Sequence, residues 1–192
     1  MVVGYDQATT DDEGVGGEWR AFRWTRTGGT APLATRSANS QSLAVSADGS
    51  ILVGWTEDTT GMWRAAKWGA DGSLTLLGAL GGAPSAAYSV SANGAVIVGS
   101  AADSAGRARA FRWAAGVGME DLNRVYARLL GDGSFLEAAY GVSPDGRYIV
   151  GAGYNAATNR FEGFLLDTVP EPASLLTLSV GLIGLLRARR RP

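Results

Sequence analysis

The chain has no cysteine and no histidine, and the groups that recur in it with chemical potential are carboxylates, arginines and aromatic rings. Thiol nucleophiles, disulfides, zinc-type sites and histidine general bases are thereby excluded. Asp48, Asn93 and Asp145 each precede a glycine and recur along the chain. As oxygen donors they could hold a ligand, but Asp-Gly and Asn-Gly are also hairpin-turn dipeptides, which accounts for all three. Arg20, Arg64 and Arg109 recur as well. They could line a channel that reads acidic or sugar groups; the commoner role for such a residue is to tie strands together. Asp11, Asp12 and Glu13 offer oxygens to Ca²⁺, yet their spacing fits no defined loop and reads as a solvated turn. Glycoside hydrolysis needs two carboxylates that the fold brings together, and no pair stands out. Tyr5, Trp55, Tyr88, Tyr140 and Tyr154 could stack on sugar rings or simply pack at strand edges. No catalytic residue, cofactor or metal is expected.

The elements that position these residues are repeats. A Val-Gly pair occurs at Val3-Gly4, Val53-Gly54, Val98-Gly99 and Val150-Gly151, with glycines 50, 45 and 52 residues apart. After the first three pairs come Trp19-Arg20-Ala21-Phe22-Arg23-Trp24, Trp63-Arg64-Ala65-Ala66-Lys67-Trp68 and Ala108-Arg109-Ala110-Phe111-Arg112-Trp113. Phe161-Glu162-Gly163-Phe164-Leu165-Leu166 is a degraded fourth copy. A third signature reads Val45-Ser46-Ala47-Asp48-Gly49, Val90-Ser91-Ala92-Asn93-Gly94 and Val142-Ser143-Pro144-Asp145-Gly146.

Each unit reads as four short antiparallel strands. β-branched runs at residues 50–56 and 94–100 lead into the Val-Gly pair, and the Trp-Arg-Ala-Phe-Arg-Trp segment alternates with the period of two that marks a strand. A third strand is expected at 74–77 and a fourth at 86–91, with the Asp/Asn-Gly pair turning into the next unit on two positive-φ residues. Phe22 and Trp24 share one strand face and Ala21 the other, with Ala65 and Ala110 in the equivalent small slot, so successive sheets can nest face to face. Residues 119–132 carry apolar spacing for one short helix, with Leu122, Val125, Tyr126, Leu129 and Leu130 facing inward. Four strands per unit of about 45–52 residues give an all-β fold, a partial β-propeller-like array, with a β-solenoid as the alternative. The expected organisation is a β repeat domain over 1–168, in units of about 3–52, 53–97, 98–149 and a partial 150–168. The first residues read as mid-strand and not as a signal peptide, so an N-terminally truncated chain is expected.

These signatures resemble the HAF-type repeat of extracellular bacterial proteins, named for a His-Ala-Phe triplet. Arg20-Ala21-Phe22 and Arg109-Ala110-Phe111 stand in that slot, and the second unit departs further with Ala66 in place of the aromatic. The resemblance implies a propeller-like fold and export, and no established catalytic activity.

The C-terminus has a different character. Val169, Pro170, Glu171 and Pro172 lead into 14 uncharged residues, 173–186, which include Leu175, Leu176, Leu178, Val180, Leu182, Ile183, Leu185 and Leu186. As a helix this run is roughly 21 Å long, short of the roughly 30 Å hydrocarbon core, and snorkelling arginines narrow the mismatch. Arg187, Arg189, Arg190 and Arg191 cap it, and a cluster of arginines marks the cytoplasmic flank of a span. The body is therefore expected outside the cytoplasm. Residues 169–192 closely resemble the PEP-CTERM sorting tail of exported bacterial proteins. That resemblance implies an exosortase-type sorting transpeptidase as partner, with processing near the Pro-Glu-Pro and passage from the inner membrane to the cell surface or beyond.

Charge agrees with such a division. The net charge is −1, but the tail from Val169 holds four arginines and one glutamate, leaving an acidic body with no electrostatic case for nucleic acid. The expected function is a non-enzymatic structural or binding role at the surface or in a matrix, with the lipid bilayer and exopolysaccharide as partners. A propeller-type polysaccharide hydrolase or lyase is the alternative.

Overall fold

The computed structural model describes residues 1–7 and 18–169, which form four antiparallel sheets in succession. The first contains β1 (Val2–Gln7), β2 (Trp19–Thr25) and β3 (Gly29–Pro32). The second contains β4 (Ser40–Val45), β5 (Ile51–Glu57), β6 (Trp63–Gly69) and β7 (Leu74–Leu76). The third runs β8 (Gly81–Val90), β9 (Val96–Asp103), β10 (Ala108–Ala114) and β11 (Gly118–Asp121). The last holds β12 (Phe135–Val142), β13 (Tyr148–Asn155) and β14 (Arg160–Asp167). Within every sheet spatial order follows chain order. β4 packs beside β8, and β8 beside β12, so the leading strands of these three sheets converge on one edge.

The sheets divide the repeat one strand away from the sequence reading. The strand over 86–91 lies in β8 and opens the third sheet instead of closing the second. The cause is local: the Ser-x-Asp/Asn-Gly turn makes a hairpin of β8 and β9, and hairpin strands pair. The Gly-rich link after β7 is what crosses between sheets. Among the described residues the first sheet has no counterpart of β4.

The turn itself also differs from a two-residue hairpin with both φ values positive. Gly49, Gly94 and Gly146 take φ values of +75°, +72° and +78°, while among the described non-glycine residues only Asn159 has a positive φ. The glycine N–H closes each turn on the serine carbonyl, at 3.0 Å for Gly49 to Ser46 and for Gly94 to Ser91. Asp48 Oδ1 accepts from the Ser46 hydroxyl at 2.6 Å and the Ser50 N–H at 3.0 Å. Asn93 Oδ1 repeats both bonds with Ser91 and Ala95, and Asp145 Oδ1 with Ser143 and Arg147. Successive turns are joined, since Ala47 N–H donates to Ala92 and Ala92 N–H to Pro144. Asp48, Asn93 and Asp145 are thus turn residues.

These bonds, led by the Ser46 hydroxyl, lower the Asp48 pKa to about 2. A carboxylate depressed in the folded state adds stability above its unfolded pKa, and that stability fades as pH falls through the folded value. Asn93 performs the same turn without titrating. Asp48→Asn is therefore expected to keep the fold and make the loss of melting temperature between about pH 4 and 2 shallower. The effect is small because the group is exposed, and an unchanged acid limb in thermal melts would count against the turn as a source of acid sensitivity.

Three cores lie between the four sheets. Ala21 and Leu33 of the first sheet meet Leu52, Ala66 and Trp68 of the second. Val53, Ala65 and Leu77 meet Ile97 and Phe111. Val98, Ala110 and Leu122 meet Leu136 and Ile149. Ala21, Ala65 and Ala110 have no exposed surface, so the small residue does let the next sheet approach. Buried serines stitch the layers: Ser40 and Ser85 hydroxyls accept the N–H of Ala21 at 3.1 Å and of Ala65 at 2.9 Å. That satisfies polar groups which would otherwise be stranded in the core.

The single helix expected at 119–132 is instead one α turn, α1 (Leu122–Val125), followed by a 3₁₀ turn, Ala127–Leu129. Leu122 is buried, and Tyr126 and Leu130 pack on the third core. Val125 and Leu129 point out, at 52% and 72% exposure. The change to three residues per turn rotates the later positions away from the α-helical stripe. Asn123 fastens the insertion to β12, accepting from Leu136 N–H at 2.7 Å and donating to its carbonyl at 2.9 Å.

Candidate functional site

All five aromatics singled out in the sequence lie against other rings. Tyr5 stacks on Trp19 at 4.9 Å between centroids, and Trp55 on Trp63 at 4.7 Å. Tyr88 lies 5.5 Å from Tyr140, and Tyr154 lies 5.6 Å from Phe135. Two of these pairs belong to one groove. It opens between the first and second sheets, at the end where β5 runs into β6, and encloses about 540 Å³. Trp19, Trp55 and Trp63 line it together with Glu18, Asn39, Gln41 and Glu57.

Three of the groove's polar side chains are held in place. Asn39 Nδ2 donates to both Glu57 oxygens at 3.1 and 3.0 Å, while Asn39 Oδ1 accepts from the Trp19 N–H at 2.8 Å. Glu18 accepts from Arg20 Nη2 at 2.6 Å. Trp19 and Trp63 entered the sequence reading only as the first letters of a repeat signature. What makes them a site is cross-strand register: Trp63 lies opposite Glu57, and Trp19 opposite Gln7. The same slot in the third sheet is Ala108, opposite Ala102, so the aromatic wall ends there.

Of the recurring arginines, Arg20 pairs with nearby Glu18, whereas Arg64 and Arg109 tie their strands to the preceding hairpin loop. Arg64 Nε donates to Asp58 at 2.7 Å and Arg109 Nε to Asp103 at 3.1 Å. Each aspartate also gathers N–H groups of its own hairpin loop. The Arg107 N–H, first among several donors, lowers the Asp103 pKa to about 2, and the Thr60 hydroxyl, with Arg64 behind it, holds Asp58 below the usual carboxylate range. Arg109 also lies over the Phe135 ring at 5.3 Å, beside a second, polar hollow of about 490 Å³ between the third and fourth sheets. Glu18, Glu57, Asp58 and Asp103 each already accept a hydrogen bond from a neighbouring side chain. Among the described residues no group of three or more His, Cys, Asp or Glu is arranged to hold a metal.

Asp11, Asp12 and Glu13 lie outside the described residues, as do Pro170, Glu171, Pro172, the apolar run 173–186 and the four terminal arginines. Among the described residues no helix is long and apolar enough to cross a membrane. Val169 is the last described residue, its N–H bonded to Asp167 at 3.0 Å, so the tail follows directly on the end of β14.

That tail decides the comparison. The family model for the PEP-CTERM protein-sorting motif matches residues 168–191. The chain carries a PEP-CTERM motif. Such a motif indicates export, with sorting by exosortase-type machinery. The body resembles solved structures by fold alone. A putative TolB from Agrobacterium tumefaciens superposes with a TM-score of 0.57 at 16% identity, over 79% of this chain and 52% of that one. TolB from Acinetobacter baumannii gives 0.52 at 13% identity, over 78% and 35%. The chain thus spans about half and about a third of these two proteins. No curated protein matches it in sequence. PEP-CTERM tail and propeller-like sheets together describe an exported β protein.

Proposed function

We propose that this PEP-CTERM protein is a surface- or matrix-associated, non-enzymatic protein built from HAF-type repeats, whose sheets present a binding or structural surface outside the cell. The match of the sorting motif to residues 168–191 carries this reading. In it, residues 173–186 span the inner membrane with Arg187, Arg189, Arg190 and Arg191 on the cytoplasmic side, and an exosortase-type transpeptidase processes the chain near Pro170, Glu171 and Pro172. The β body is then released to the surface or into an exopolysaccharide matrix. The order of elements supports it, because the last strand ends at Asp167, immediately before the motif. The two carboxylates of the aromatic groove, Glu18 and Glu57, both serve as acceptors for neighbouring side chains, which favours binding over hydrolysis or lysis of a glycosidic bond.

The expected result is body material outside the cell whose C-terminal mass ends near residues 171–173. A variant lacking 169–192 is expected to lose that processed form. Body found in the cytosol, or an intact tail found only in the inner membrane, would overturn the sorting step.

A further inference from the structure

We infer that the groove between the first two sheets binds a flat, neutral β-linked glucan through Trp19 and Trp63, an inference that rests on the matrix-facing role proposed above. Trp19 is 39% exposed and Trp63 48%, yet neither ring is loose. Each is stacked on a second ring, Tyr5 and Trp55, with interplanar angles of 23° and 20°. Trp55 itself is 7% exposed and anchors its pair in the sheet. A ring already fixed gives up little freedom when a ligand covers its outer face. At about 540 Å³ the groove is of ligand-binding size.

The polar groups specify the ligand. The Gln41 amide can donate and accept, and Asn39 Oδ1, Glu18 and Glu57 can accept further hydrogen bonds. A partner that lies flat on indole and also offers hydroxyls around its rim satisfies both sets at once. Pyranose rings with equatorial hydroxyls have that shape, and β-linkage keeps successive rings in a ribbon. The two carboxylates disfavour an acidic polysaccharide. A polyproline peptide could also stack on tryptophan. Its backbone, however, offers carbonyl acceptors and no N–H, which two carboxylates would meet unfavourably. The site is local, since the neighbouring hollow bordered by Trp63, Tyr88 and Ala108 encloses only about 160 Å³.

Titration of the full chain with cellohexaose, read by tryptophan fluorescence, tests this directly, with a proline decamer and polygalacturonate in parallel. Saturable binding of cellohexaose alone is expected. Trp19→Ala and Trp63→Ala should each weaken it about tenfold, with a smaller loss for Trp63→Phe because a ring remains to stack. Trp24→Ala, which removes an exposed indole outside the groove, should leave it unchanged. No saturable binding, undiminished binding in the Trp19/Trp63 double variant, or preference for the proline decamer or polygalacturonate would each overturn the assignment. Binding is measured on purified protein and export in cells, so either reading can fail while the other stands.

Discussion

Gly99→Ala is expected to destabilise the protein by about 3 kcal/mol or more, lowering the melting temperature by roughly 6–12 °C in a domain of this size. A Cβ at position 99 would sit 2.0 Å from the Ala86 carbonyl oxygen and 2.7 Å from Phe111 Cε1. The first obstacle is backbone and cannot swing aside. It arises because the β8–β9 register shifts between Ala87 and Ser89, which brings the β8 backbone over the glycine. Gly54 and Gly151 meet the same obstruction, 1.9 Å from the Gln41 oxygen and 2.0 Å from the Ala138 oxygen. Gly4 does not. Its nearest neighbour is Phe22 Cζ at 3.1 Å, a side-chain atom on a half-buried ring. Gly4→Ala is therefore expected to cost less than about 1 kcal/mol. Thermal melts of both variants check the contrast, and equal shifts would show that the bulged leading strand is not what demands glycine.

This contrast shows what the sequence could and could not reveal. The Val-Gly pair was visible as a recurrence, but in the last three copies its reason lies in a carbonyl 13 residues upstream in the chain, brought close by a bulge that leaves no compositional mark. Strand positions were legible because period-two alternation is a local property. Sheet membership was not, because a repeat can be cut at any phase, and only pairing across the Ser46–Gly49 type of turn fixes where one sheet ends. The nesting of Ala21, Ala65 and Ala110 followed from size alone. The groove did not, since Tyr5 and Trp19 come together by register across β1 and β2. Val125 and Leu129 misled because a helical stripe presumes a helix long enough to keep its pitch. The sorting tail was the most legible part, since its signal is the chemistry of consecutive residues and needs no tertiary context.

Trp68→Ala is expected to be comparably severe, at about 3–5 kcal/mol, the range for a large buried aromatic truncated to alanine. Trp68 has no exposed surface and lies in the core with Ala21, Leu33, Leu52 and Ala66. Its Nε1 donates to the Ala34 carbonyl at 2.6 Å, so truncation leaves both a cavity and an acceptor without its partner. The repeat supplies internal controls. Trp113 fills the same slot one sheet later, half-buried, with Lys67 Nζ 4.4 Å from its ring, and should cost less. Trp24 fills it in the first sheet, 40% exposed on a face that no other described sheet covers, and should cost below about 1 kcal/mol. One residue type in one strand slot thus reports position along the array, and the order Trp68, Trp113, Trp24 follows from which sheet stands in front of each ring. Denaturant melts of the three variants give that order. A loss at Trp24 equal to that at Trp68 would mean the outer face of the first sheet is covered in solution.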